Sequence, residues 1–162
     1  MIADMDMDLQ HFINGCIAVE ETVASLYRMF MDIFPDERPF WQDLYRDELE
    51  HSFWLTSGSR SEVIELLPSK ELLPSMEHVK STLVFVEGKI AQAKTNPVTF
   101  EAALRTALEI EESMVEIFTN EITANLLATD HKSLNDKLIA AEKIHVTKIE
   151  DMMISKGFMQ LS

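Results

Sequence analysis

Two tetrapeptides, Glu48-Leu49-Glu50-His51 and Glu142-Lys143-Ile144-His145, each set a carboxylate three residues before an imidazole. Residues three apart on a helix share a face, so each pair aims both donors at one point. Two further glutamates, Glu20 in Ala18–Tyr27 and Glu111 in Glu109–Phe118, sit on the apolar side of helical segments that precede each pair. The chain order is Glu, Glu-x-x-His, Glu, Glu-x-x-His. Four ionised carboxylates converging in an apolar interior would cost several kcal/mol each without partners. Two divalent cations would cancel the four negative charges. Oxygen and imidazole donors without thiolate suit iron, with manganese as the alternative. In helical bundles that hold paired metals, this pattern makes Glu48 and Glu142 the bridging candidates and Glu20 and Glu111 the terminal ones. His51 and His145 then supply one imidazole to each metal.

The elements that must position these donors are helices. Only four glycines and five prolines occur, most of them between periodic segments, and no Val/Thr-rich alternating run suggests a strand. A first helix is expected from near Asp8 to before Pro35, with a stripe of Ile13, Cys16, Ile17, Glu20, Val23, Ala24 and Tyr27. A second is expected from Glu37 or Pro39 to near Gly58, burying Trp41, Leu44, Tyr45, Glu48, His51, Ser52 and Leu55. Counted from the turn between them, Glu20 and Glu48 stand within one helical turn of the same height. Ser61 to Leu67 suggests a short helix, and Met76 to Lys94 a longer one carrying Val79, Leu83, Val86 and Ile90. A third core helix is expected from Pro97 to about Asn125, with Leu104, Ala107, Leu108, Glu111, Met114, Val115 and Phe118 inward and Glu112 and Glu116 outward. A fourth, from Ser133 or Leu134 to before Gly157, turns Leu138, Ile139, Glu142, His145, Val146, Ile149 and Met152 inward. The long connection between the second and third core helices is the mark of a ferritin-like four-helix bundle with a crossover helix.

A chain of 162 residues fits a single domain spanning 1–162. Its net charge of −14 argues against nucleic acid or an anionic membrane as partner. No apolar run approaches the roughly twenty residues of a bilayer-crossing helix. The acidic start lacks the features of a secretory signal, so a cytoplasmic location is expected. One cysteine, Cys16, excludes an intrachain disulfide and a four-thiolate metal site. It reads as a small buried thiol. Tyr27, Tyr45, Trp41 and Trp54 read as core aromatics, and His11, His78 and His131 as surface residues.

Glu20 followed seven residues later by Tyr27, and Glu111 followed seven later by Phe118, resemble the E-x6-Y pattern of the first and third core helices of rubrerythrins. With the two Glu-x-x-His pairs, the chain resembles a rubrerythrin-type member of the ferritin-like di-iron carboxylate proteins. The resemblance implies two iron ions and an oxidoreductase acting on O₂, peroxide or Fe²⁺, with no catalytic residue beyond the metal centre. Full-length rubrerythrin adds a rubredoxin domain that feeds electrons to the centre. With one cysteine this chain has none, so an external electron donor is implied. Rubrerythrins also carry a further glutamate one turn after the third-helix ligand, where this sequence has Met114. Two other readings are a non-enzymatic iron storage or delivery protein of the same fold and a metal-free helical interaction module. Two-fold association into a homodimer is compatible with all three.

Overall fold

A computed structural model describes residues 2–57, 74–119 and 144–160, and among these every regular element is helical. Helix α1 (Ile2–Ile33) is followed by a 3₁₀ turn (Pro35–Glu37) and α2 (Arg38–Ser57). Helix α3 (Met76–Thr95) and α4 (Phe100–Glu111) come next. Two further helical stretches are described over 114–119 (α5) and 144–155 (α6). The expected short helix at Ser61 to Leu67, the continuation of the third core helix toward Asn125 and the start of the fourth lie outside the described residues. So do Glu142 and His131.

Helix α1 is longer than expected: its apolar stripe begins after Asp8, but the helix starts at Ile2. At 1.5 Å per residue its 32 residues span about 48 Å. It ends where Pro35, with no amide hydrogen to give, forces a turn. The turn is tied by Glu37 N–H donating to Phe34 O at 3.1 Å and by an Arg38–Asp32 ion pair at 3.2 Å. Helix α2 then returns antiparallel along α1. Aromatic rings fill this end: Trp41 lies 4.7 Å from Phe30, 5.0 Å from Phe40, 5.8 Å from Tyr27 and 6.1 Å from Phe100, ring centre to ring centre.

Contacts fix the other directions. Ser75 caps α3, accepting from His78 N–H, and Val79 near its start packs on Gly15 of α1. Gln92 and Asn96 near its end share with Phe30 the wall of a cavity of about 290 Å³. Helix α3 therefore runs parallel to α1, covering it from about Gly15 to Phe30. Thr99 caps α4, which starts beside Phe34 (Phe100 at 5.3 Å). Phe118 of α5 reaches Phe12 of α1 at 5.0 Å, so α4 and α5 descend antiparallel to α1. Helix α6 climbs back antiparallel to α2 and α4. Lys148 binds Asp43, Lys156 binds Glu37, and Arg105 donates to Phe158 O.

Most described members of the expected stripes are buried, including Ile13, Cys16, Val23, Trp41, Leu44, Leu55, Leu104, Ala107, Val115, Phe118 and Ile149, while Ile17, Tyr45, Leu83, Ile90, Leu108 and Met152 are partly buried against them. The third helix departs from expectation. It breaks after Glu111, with Glu112 and Ser113 in a turn, and restarts at residue 114. Ser113 N–H donates to Ile110 O, the ladder resumes with Ile117 N–H to Ser113 O, and the Ser113 hydroxyl accepts from Glu116 N–H at 3.3 Å. The break shifts the face beyond it. Met114, expected inward, is 54% exposed, and Glu116, expected outward, is fully buried.

Two glycines separate packing from propensity. Alanine in a helix is favoured over glycine by about 1 kcal/mol. A Cβ on Gly88 meets nothing within 4 Å, so Gly88→Ala is expected to stabilise by about that amount. A Cβ on Gly15 would stand 2.8 Å from Val79 Cγ1, on a stiff β-branched side chain. Gly15→Ala is expected to destabilise by about 1–3 kcal/mol despite its propensity gain. Urea denaturation of both variants measures the two signs, and a stabilised Gly15→Ala would contradict the close α1–α3 approach.

Candidate metal centre

Five of the six sequence-predicted donors meet at one place in the interior. Glu20 comes from α1, Glu48 and His51 from α2, Glu111 from the last turn of α4 and His145 from the first turn of α6. The sixth, Glu142, lies outside the described residues. Glu20, Glu48, Glu111 and Glu116 are all fully buried or within 2% of it, and His145 is 5% exposed. The His51 and His145 rings lie side by side, 5.8 Å between centres.

The donors form two groups that share one carboxylate. Glu20, Glu48, His51 and Glu116 each offer an atom within 4.8 Å of the others, and so do Glu48, Glu111 and His145. Glu48 belongs to both, as the expected bridging role requires. Glu116 is the donor that sequence periodicity missed. An unbroken helix would have carried Met114 to this side and Glu116 away from it. Ser113-Met114-Val115-Glu116 matches the Ser-x-x-Glu signature of a helix start, and that signal was available in the sequence.

The groups differ in how their polar atoms are satisfied. Tyr27 donates its hydroxyl to Glu111 Oε1 at 2.8 Å, and His145 Nδ1 lies 3.1 Å from Glu111 Oε2. On the other side of that ring, Nε2 is 3.0 Å from Asp47 Oδ2, the residue just before Glu48. A carboxylate on the outer nitrogen fixes the ring and makes it a better metal ligand. The other group lacks such support. Among the described residues, both oxygens of Glu20, of Glu48 and of Glu116, and Nδ1 of His51, have no hydrogen-bond partner. His51 Nδ1 lies 3.6 Å from Glu20 Oε2. Phe118 stands where the tyrosine of the pattern would be and has no hydroxyl to give.

Comparison with protein-family models, with curated proteins and with solved structures finds no match. The site is therefore read from its own chemistry.

Crowding sets the proton affinities. Burial first, then the charges of Glu116, Glu20 and Glu111, push Glu48 well above the ordinary 4.5. Burial, Glu20 and Glu111 do the same to Glu116. Burial also works against ionised Glu20, but Glu48 and His51 beside it hold it below 4.5. Burial disfavours imidazolium at His145, yet Glu111 and Asp47 on either side raise it to about 10. Cys16, one turn before Glu20, is raised to about 12 by burial and by Glu20 and Glu116, which suits an inert core thiol.

These donors fit a pair of divalent cations. They are buried and free of thiolate, and the oxygens of Glu20, Glu48 and Glu116 are left without partners in the way that a missing positive charge would leave them. Among the described residues, the ion-pair partners of these carboxylates are His51 and His145.

A carboxyl whose folded pKa is raised stabilises the fold fully below its ordinary value, 4.5 here, and loses that contribution as pH rises through the raised value. Metal-free protein is therefore expected to lose stability as pH climbs above 4.5, and Glu116→Gln, which never ionises, to flatten the loss. Denaturation of both metal-free proteins across pH measures the difference. Parallel curves would remove Glu116 from the shared charge.

Proposed function

We propose that this chain is a di-iron carboxylate protein of ferritin-like, rubrerythrin-related architecture, and that it acts as an oxidoreductase on O₂, peroxide or Fe²⁺. The observation that carries the reading is the set of partnerless buried oxygens on Glu20, Glu48 and Glu116 beside the imidazoles of His51 and His145. Keeping such a set ionised in an apolar core costs several kcal/mol for each charge unless bound cations offset it. The run of helices supports the bundle: α1 and α2 antiparallel, α3 crossing back along α1, α4 and α6 antiparallel beside them.

Glu20, Glu116 and His51 would hold one ion, Glu111 and His145 the other, with Glu48 shared and Glu142 the remaining donor expected from the sequence. Bound iron supplies the electrons that O₂ or peroxide takes up, or is itself the Fe²⁺ that is oxidised. The chain's own residues set the conditions. Asp47 orients His145 through Nε2 and keeps Nδ1 directed inward. Tyr27 holds one oxygen of Glu111 and leaves the other for the centre. Val19, Val23 and Ile110, on the helices that carry the donors, are essentially fully buried. No helix among the described residues is long and apolar enough to cross a membrane.

Protein loaded anaerobically with Fe²⁺ and desalted is expected to retain about two irons per chain, and elemental analysis reads this. Glu48→Ala, which removes the shared carboxylate, is expected to reduce this to below about one, and His145→Ala to about one. Fewer than about one iron on the wild-type chain, or unchanged binding in Glu48→Ala, would sink the reading. Oxygen or peroxide consumption by the loaded protein with an added reductant then tests the oxidoreductase assignment.

A further inference from the structure

A cavity lies where α3 gives way to α4, floored by the buried Phe30 of α1 and rimmed by the exposed Gln92, Asn96 and Thr99. Phe30 is ten residues along α1 from Glu20, about 15 Å at 1.5 Å per residue, so this space is separate from the buried carboxylates. Its volume of about 290 Å³ falls at the small end of the range for small-molecule sites, roughly 300–1,000 Å³. Phe30, Ala93 and Val98 give it an apolar lining. Lys89, half-buried, is the one charge in the wall, and no lining residue is acidic, in a chain of 28 acids against 14 bases. That lysine is also uncommitted. Among the described residues Arg38, Arg46, Arg105, Lys148 and Lys156 each pair with an acid. Lys89 pairs with none there and has only the Phe85 ring, 5.4 Å from its ammonium.

We propose that this cavity binds a small aromatic monocarboxylate, its carboxylate on Lys89 and its ring against Phe30 and Val98. The site is independent of the metal reading. Charge selects the class. One unpaired cation answers one negative charge, through hydrogen bonds strengthened because both partners are ionised. A phosphate dianion would bring a second charge that nothing in the wall neutralises, into a chain already at −14. A neutral ligand would leave Lys89 as it is. Further donors stand at the rim. Thr99 Oγ accepts from Ala102 N–H at 3.1 Å and keeps its own hydrogen to give, and the side-chain amides of Gln92 and Asn96 have no partner among the described residues. The lining selects the body of the ligand. Apolar surface at Ala93 and Val98 gains by being covered, and a planar ring meets the Phe30 ring in an edge or offset-stacked contact.

Calorimetric titration of the full chain with sodium benzoate tests this, with benzamide as the uncharged isostere and inorganic phosphate as the second anion. Benzoate is expected to bind with a Kd of about 1 mM or tighter, and benzamide and phosphate at least about tenfold more weakly. Lys89→Met, which keeps the apolar stem, is expected to weaken benzoate by about tenfold or more and to leave benzamide unchanged. Ala93→Leu, which fills the lining, is expected to abolish binding of both. Neither residue is fully buried, and thermal unfolding confirms that each variant is folded. Absence of benzoate binding at about 10 mM overturns the proposal, as does benzamide or phosphate binding as tightly as benzoate. Wild-type benzoate affinity in either folded variant overturns it too, because the ligand would then sit elsewhere.

Discussion

Like charges gathered in an apolar interior are the constraint to which this structure answers. Glu20, Glu48, Glu111 and Glu116 arrive from three different stretches of chain and are buried almost completely. Among the described residues, the imidazoles of His51 and His145 stand beside them. Everything else in the fold can be read as the apparatus for keeping these groups close. The long α1 supplies a straight wall, the aromatic cluster around Trp41 fastens α1 to α2 and α4, and α3 covers the flank of α1. A core this well packed around repelling groups is stable when the charge is neutralised, and protons and metal ions compete to do it.

The polar surroundings are not shared evenly between the halves. Tyr27 and Phe118 occupy corresponding places in the two hairpins, seven residues after Glu20 and Glu111, yet only Tyr27 has a hydroxyl. It reaches across the interior to Glu111. Asp47 precedes Glu48 and supports His145, whereas the residue preceding Glu142 is Ala141. An internal repeat that supplies matching donors has therefore been given unlike supports, and the support falls on one side both times.

Much of this was legible in the sequence because helical periodicity is a strong signal wherever a helix is unbroken. Glu20 and Glu48 interrupt otherwise apolar stripes, and their distances from the Pro35 turn set them at one height. The structure brings both within reach of one point. Reading failed where periodicity itself stops. Beyond Glu111 the count of three and four residues per turn no longer applies, so Met114 and Glu116 were assigned to each other's sides. Asp47 was missed for a different reason. A residue adjacent to a ligand points about 100° away around the helix, toward a neighbouring helix whose position no local pattern reveals. The existence of α3, by contrast, was legible from the apolar spacing of Val79, Leu83, Val86 and Ile90, and its direction along α1 comes from the contacts at Gly15 and Phe30.

Under the proposed metal reading, the turn at Glu112 and Ser113 would give the backbone, rather than any donor, control over which element the centre prefers. With the break, the interior receives the oxygens of Glu116. Were the helix sealed through this point, the residue three positions after Glu111 would face inward instead, and that residue is Met114, a thioether. Hard oxygen ligands and soft sulfur ligands select different metals. If the centre holds metal as proposed, the turn capped by the Ser113 hydroxyl would stand between two coordination chemistries.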